Sequence, residues 1–388
     1  MANTYYFRGS AAAVAQVDTL TVAGETIEDT DIFIITMTDE SGNTEALSVV
    51  AGSTVADTVA ATIAAAFNAL THYMFTPITA AAVGSGGQIT LTADTAGVPF
   101  TATPTTTETG GGDADGQTFT TAATTANSGP NDWNTQANWY DDEGDNDLPG
   151  SEAADTVFVE GDSAGAATIK YGLDQSGITV LTALYIARAQ VGENGQDGRS
   201  PTYLKIKATT VDINYHAGPG NPNHSSPVNI DTTTTASTIT VHNSGTNQPT
   251  TEPSVNLLAN ESTTDIYVKK GIVGIATHAG ETGKIDILNV SYVTNQTGDA
   301  KMYVGSGLTL DEIIQDGGNI ELSCTVTTKV EITGGTLDTT KSKSDLTLPY
   351  VKLDAPGVYK HSIDKPAVTL TAQIEPVSTT GNVTYTAS

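Results

Sequence analysis

From Asp155 to about Leu353 the chain repeats one short theme. Three to five residues alternate Ile, Val or Leu with polar side chains, and Gly, Asn or Asp then closes the segment. Such short strands recur about every 8–15 residues, and Ala167-Thr-Ile-Lys-Tyr171, Tyr203-Leu-Lys-Ile-Lys207, Ser237-Thr-Ile-Thr-Val241, Asp265-Ile-Tyr-Val268, Lys284-Ile-Asp-Ile-Leu288 and Lys329-Val-Glu-Ile332 are among them. Alternation with period two sends the apolar side chains to one face of a strand and the polar ones to the other. Regular short strands permit a sandwich, a barrel or stacked coils. Roughly 200 residues without a long strand or a hairpin series fit coils of about three strands better. Asp316-Gly-Gly-Asn319 and Thr333-Gly-Gly-Thr336 supply the corners that such coils need. The predicted fold class is mainly β, with a right-handed parallel β-helix-like solenoid here and β-sandwich domains as the alternative.

Composition agrees. The 388 residues include 66 Thr and 38 Gly, with charged residues at 15% and aromatics at 6%. Such a chain forms helices poorly and strands readily. Hydrophobic residues at 38% exclude a disordered acidic polymer.

Five segments are expected. Residues 1–13 read as an arm, with Tyr5, Tyr6 and Phe7 able to anchor on a neighbour. Residues 14–104 read as a mixed α+β docking domain of βββαββ order: strands at 16–22, 32–37 and 45–50, one helix, then 88–92 and 98–102 as a hairpin around Asp94-Thr-Ala-Gly97. The helix opens on a capping-box pattern, Thr54-Val-Ala-Asp57, and Val55, Val59, Ile63, Phe67 and Leu70 line one face. Residues 105–130 have the Thr/Gly-rich composition of a linker. Residues 131–353 form the solenoid with a Trp-containing entry cap, and 354–388 a C-terminal β extension.

The net charge of −28 is unevenly placed: Arg8 is the one basic residue before Lys170, against 23 acids in residues 1–169. Such a surface repels nucleic acid and anionic membrane, so neither is an expected partner. It suits cationic surfaces, divalent cations, or simply solubility. No stretch approaches the ~20 apolar residues of a membrane span. Cys324 stands alone, in the probable strand Asn319–Cys324, and reads as a small buried hydrophobe. The first ten residues lack the pattern of a secretory leader. A chain of adhesin-like composition without a readable secretion signal is expected to reach the outside as part of a virus particle.

Candidate chemistry is sparse. Gly161-Asp-Ser-Ala-Gly165 matches the nucleophile-elbow pattern, but a strand follows Ser163 where that elbow needs a helix. Asp141-Asp-Glu-Gly-Asp-Asn-Asp147 is the densest carboxylate run and departs from the calcium-loop spacing at Asn146, so its reading stays divided between a solvated loop and a calcium site. Asp113 and Asp115 rank below it. His216, His224 and His242 have no ligand spacing. Gly84-Ser-Gly-Gly-Gln-Ile89 lacks the third glycine of a phosphate cradle. The sequons at Asn260, Asn289 and Asn295 are what this threonine content produces by chance. No catalytic or cofactor-binding residue and no cofactor is expected; metal binding stays open.

Trp133, Asn138-Trp139, Pro149-Gly150 and Asp155-Thr-Val together resemble the entry segment of bacterial and phage surface β-solenoids, in which Trp rings cap the first coil. Val17-Asp-Thr-Leu-Thr-Val22, the Ala-rich helix and Ala93-Asp-Thr-Ala-Gly-Val-Pro-Phe100 are similar to modules of tailed-phage structural proteins. The resemblance covers about 60% of the chain. It implies a non-enzymatic virion structural protein, a capsid decoration or head fibre, docked on capsid or other virion proteins and exposed on the particle. It further implies a homo-oligomer, such as a trimer, and a host-surface glycan as an outside partner. Two alternatives are carried. One is a tail fibre or tailspike with polysaccharide-binding or depolymerase activity, for which Asp265, Glu281 and Asp311-Glu312 are available carboxylates. The other is a cell-surface adhesin or surface-layer protein.

Overall fold

The computed structural model describes residues 2–24, 26–109, 116–142, 144, 147–160, 167–187, 189–192, 201–214, 227–244, 253–291, 300–354, 356–361, 368–370, 375–376 and 384–387, with backbone alone at 123 and beyond 361. Half of the described residues are strand and 5% are helix. Two units separate: one combines residues 1–8 with 139–388, and the other is the intervening stretch Gly9–Asn138.

The larger unit is built on parallel ladders within one mixed sheet. The first ladder runs through Thr4–Phe7, Thr156–Val159, Leu181–Ile186, Ala208–Ile213, Thr238–Val241, Asp265–Val268, Gly283–Val290, Leu308–Leu322, Val326–Asp338, Val351–Leu353 and Glu375–Pro376, each paired in parallel with the next. Its register is nearly constant at the start. Thr156 pairs with Ala183, Thr210 with Thr238 and Thr238 with Asp265, an offset of 27 or 28 residues. It tightens later to 17, where Glu312 pairs with Lys329. A second ladder begins at Thr168–Ile169 and Gln190–Val191 and passes through Val228–Asp231, Val255–Leu258, Ile272–Ile275 and Lys301–Val304. It then continues in the distal halves of Leu308–Leu322 and Val326–Asp338, and in Val358–His361 and Thr384–Ala387. The C-terminal segment thus prolongs both ladders.

Register decides the packing. A parallel ladder sets each side chain over its equivalent in the next strand, so like must stack on like. On the first ladder Tyr5, Val157, Leu184, Val211, Ile239, Ile266, Leu288, Ile313, Val330 and Val351 form one buried column. On the second, Ile169, Val191, Val228, Val255, Val273, Met302, Ile320, Leu337 and Tyr359 form another. Each fully buried aliphatic side chain contributes about 1.5–3 kcal/mol of transfer free energy.

Polar side chains are also buried in this unit, and hydrogen bonds hold Gln315 and the pair Asn229 and Asn256. Gln315 donates from Nε2 to the carbonyls of Gly317 (3.2 Å), Gly318 (3.1 Å) and Thr336 (3.0 Å), bracing the corner where one strand passes from the first ladder to the second. Asn256 donates to Oδ1 of Asn229 at 2.8 Å, one repeat earlier. The predicted glycine corners lie at these transitions. Gly318 and Gly335 have φ of 67° and 78°, and a Cβ on Gly335 would meet the Gly318 carbonyl at 2.3 Å. No larger residue fits there.

Several expectations need correction. Residues 4–7 are not a free arm: Tyr5 and Phe7 are buried, and Thr4–Phe7 lies between Thr156–Val159 and an antiparallel strand, Trp139–Asp141. That last strand covers the outer edge of the ladder, with Trp139 edge-to-face on Phe7 at 5.0 Å. Trp133, fully buried, belongs to the intervening unit, and Trp139 to the ladder unit.

The Gly9–Asn138 unit holds two antiparallel sheets. One orders Ile78–Ala82, Gln88–Ala93, Val17–Ala23 and Thr118–Thr125, and the other Thr44–Val50, Ile32–Thr38 and Thr101–Thr107. The helix Ala56–Asn68 buries Val59, Ala60, Ile63, Ala64 and Phe67 in the core. Val55 is instead the exposed N-cap, without a side-chain cap bond. Asp57 accepts a hydrogen bond from Gly87 N–H at 2.7 Å rather than closing a capping box. Residues 101–107 and 118–125 are strands where the composition predicts linker from 105. Thr101–Thr107 is an edge strand with no buried residue, so it carries no apolar alternation to read. The predicted hairpin around 94–97 is absent as well, because its two strands join different sheets. The Gln16 side chain meets the Phe100 backbone there, accepting from its N–H (3.1 Å) and donating to its carbonyl (2.9 Å).

Ile239→Ala, in the buried column, is expected to cost about 2–5 kcal/mol. Thr240→Ala, one residue on and facing outward, should change stability by less than about 0.5 kcal/mol. Urea unfolding of both variants checks the orientation of this strand, and equal costs would contradict it.

Candidate functional site

The outward side of the first ladder is the surface on which this chain collects aromatic and charged groups. Tyr6, Phe158 and Tyr185 occupy equivalent positions in successive strands. Their rings stack at 5.1 and 4.8 Å with interplanar angles of 14° and 15°. Tyr140 joins them from the capping strand at 6.2 Å, with the Arg8 guanidinium 5.0 Å from its ring centroid. Ring spacing here follows strand spacing. The signal was available in sequence as aromatics at 158 and 185, 27 residues apart, but it is visible only once the offset is known.

The same column continues through Asp212, Thr240 and Tyr267, and residues just past the strand ends join Asp212. His242 Nε2 lies 3.1 Å from Asp212 Oδ1, and its Nδ1 lies 3.2 Å from Lys269 Nζ. With the proton on Nε2, the imidazole donates to the carboxylate and accepts from the ammonium, joining three successive strands. No hydroxyl is bonded to His242 among the described residues. His216 and His224 lie outside the described residues.

Further along, opposite charges alternate between strands. Lys329 pairs with Glu312 at 3.2 Å, Lys301 with Glu321 at 3.2 Å, Lys352 with Glu331 at 2.5 Å and Lys284 with Asp311 at 3.9 Å. Glu312 and Asp311 are therefore engaged with lysines. Burial, and secondarily the charge of Asp286, pushes the Asp265 carboxyl up from its ordinary value.

Glu281 sits apart from these, in a buried clasp. Its Oε1 accepts from the Tyr203 hydroxyl at 2.8 Å, across 78 residues of sequence, and its Oε2 accepts from the His278 N–H at 2.8 Å. Burial pushes this carboxyl up, yet hydrogen bonds from the His278 side chain, its backbone and Tyr203 outweigh burial and hold it below the usual range. Burial beside Glu281 also drives the Tyr203 phenol far up, so it stays a donor.

In the acidic run, the carboxylates accept hydrogen bonds from the chain's own backbone and hydroxyl groups. Asp142 Oδ1 accepts from Thr4 N–H at 2.8 Å, Asp141 accepts from Gly144 N–H, and Asp147 accepts from the hydroxyls of Tyr5 and Ser151. These bonds pin the first strand and its cap. Glu143, Asp145 and Asn146 lie outside the described residues, as do Asp113, Asp115, Ser163 and the sequon at Asn295. A second group of carboxylates, which no spacing rule flags, lies in the intervening unit: oxygens of Glu28, Asp31 and Glu108 all fall within 4.8 Å of one another. Among the described residues, no helix is long and apolar enough to cross a membrane.

Two outcomes follow. Because Glu281 titrates lower in the folded than in the unfolded chain, its clasp adds stability above the ordinary Glu range and loses it as pH falls through the folded value. Glu281→Gln is expected to cost about 1–3 kcal/mol at neutral pH, shrinking below about pH 4. Urea titrations at pH 7 and pH 3 check this, and a pH-independent difference would contradict it. Burial pushes the Cys324 thiol up to about 12. Under native conditions it should ignore an aromatic disulfide reagent that labels it fully in denaturant. Compared with protein-family models, with curated proteins and with solved structures, the chain matches none.

Proposed function

We propose that this chain is a structural component of a phage virion, a capsid decoration or head-fibre protein whose two ladders are faces of a right-handed parallel β-solenoid projected from the particle. The observation that supports this best is the pair of in-register ladders that extends from Thr4 to Ala387, with apolar columns inside. Stacked repeats of this kind saturate backbone hydrogen bonds along their length and resist force and protease without disulfides. In this reading the unit Gly9–Asn138, inserted between the first strand and its cap, docks on the shell, and the ladder unit faces outward as part of a homo-oligomer.

A second reading, a tail fibre or spike that binds polysaccharide, draws support from the outward aromatic column of Tyr6, Phe158 and Tyr185 with Tyr140 beside it. Aromatic edges next to charged groups are suited to sugar hydroxyls and ring faces.

Density-gradient sedimentation of native source material, followed by peptide mass spectrometry of each fraction, tests the proposal. The chain is expected in a particle fraction at a copy number of hundreds. A copy number near a dozen would favour the tail reading. Recovery with cell envelopes and not with particles would overturn both and favour a surface-layer protein.

A further inference from the structure

The Gly9–Asn138 unit contains 14 Asp and Glu residues and no Lys or Arg. Its single histidine, His72, packs on the rings of Tyr73 and Phe75. Carboxylates in this unit therefore have no lysine or arginine of their own unit to pair with. Most of them can rely on water. Asp31 cannot, because it is completely buried.

Asp31 immediately precedes the central strand Ile32–Thr38 of the three-stranded sheet. Ile32 pairs with Thr107 in antiparallel register, so the next position outward sets Asp31 opposite Glu108. The turn from Glu28 to Asp31 brings the third carboxylate in: Asp31 N–H donates to the Glu28 carbonyl at 3.2 Å, and Glu28 N–H donates to Asp31 Oδ2 at 2.8 Å. Gln117 Nε2 donates to Glu108 Oε2 at 2.8 Å, and the Thr109 hydroxyl donates to the Thr30 carbonyl, which fastens the two segments together. One carboxylate oxygen of each acid then lies within 4.8 Å of the others.

Asp31 Oδ1 is the independent observation. It is inaccessible to solvent and, among the described residues, has no hydrogen-bond donor, while its sister oxygen is satisfied by the Glu28 amide. A buried carboxylate that leaves one oxygen without a partner, in a group with two further acids, is costly unless a positive charge meets it. Oxygen-only donors from three carboxylates suit a hard divalent cation. Separations of no more than 4.8 Å let one calcium ion, with Ca–O of about 2.4 Å, meet all three carboxylates, whereas magnesium sheds its water reluctantly for such an all-protein donor set.

We infer that Glu28, Asp31 and Glu108 form a calcium site that fastens the turn before the central strand to the end of its edge neighbour. This site is separate from the acidic run Asp141–Asp147 and does not depend on the virion reading.

The test uses the full-length chain stripped with EDTA, with calcium chloride added in a calorimetric titration and in thermal melts. The wild-type chain is expected to bind calcium and to melt at higher temperature with it, and magnesium should shift the melt less. Asp31→Asn and Glu108→Gln should each weaken calcium affinity by about tenfold or more, as expected for loss of one charged ligand. In EDTA the Asp31→Asn chain should melt no lower than wild type, because the substitution relieves carboxylate repulsion. Glu45→Gln, at an exposed position on the neighbouring strand Thr44–Val50, should bind calcium as wild type does. If Asp31→Asn does not fold, Glu108→Gln at the less buried position gives the same reading. Absence of calcium binding by wild type, or binding and a melting shift unchanged in the carboxylate variants, would overturn the inference.

Discussion

In-register stacking of buried side chains along parallel ladders is the constraint on which the larger unit depends. Each strand's backbone bonds to the strand before it and the strand after it, so the register fixes which side chains meet. Once Val157 is buried, the equivalent positions at 184, 211, 239 and 266 must be apolar and of compatible shape, and they are Leu, Val, Ile and Ile. Small aliphatic side chains supply the core in many equal steps, which is how a chain with 6% aromatics and a single cysteine builds a dry interior. The same rule acts outside: aromatic follows aromatic from Tyr6 to Tyr185, and lysine faces acid between neighbouring strands farther on.

A ladder of this kind must end, and open strand edges invite unwanted pairing. This chain closes its first edge with Trp139–Asp141, laid antiparallel on Thr4–Phe7, and secures both with carboxylates of the acidic run. In the chain, the first strand precedes the Gly9–Asn138 unit and its cap follows directly after it. An acidic run that reads as solvated loop or calcium site is, at Asp142 and Asp147, part of this closure.

Period-two alternation made the strands legible, and Gly-Gly pairs made the corners legible, because both signals are local. The strands Ile32–Thr38 and Thr44–Val50 and the helix core at Val59, Ile63 and Phe67 were readable for the same reason. Pairing partners were not. Nothing local in Thr4–Phe7 says that it bonds to residues 156–159, so three aromatics in a row read as an arm. Threonine-rich edge strands such as Thr101–Thr107 were invisible because threonine serves linkers and strands alike. The Glu28, Asp31 and Glu108 group was hidden by an 80-residue separation that only the antiparallel register closes. The 27-residue offset was present in the sequence, as aliphatic positions recurring at 157, 184 and 211, and is the signal that would have exposed the outward aromatic column.

Residues 4–7 are the first rung of the ladder. Hydrogen exchange followed by mass spectrometry on the native full-length chain measures this directly. Amides of Thr4–Phe7 are predicted to exchange as slowly as those of Thr156–Val159 and Leu181–Ile186, because all three segments bond to ladder neighbours on both sides. Exchange of residues 4–7 within seconds, beside slow exchange at 156–159, would show a free arm and contradict the account.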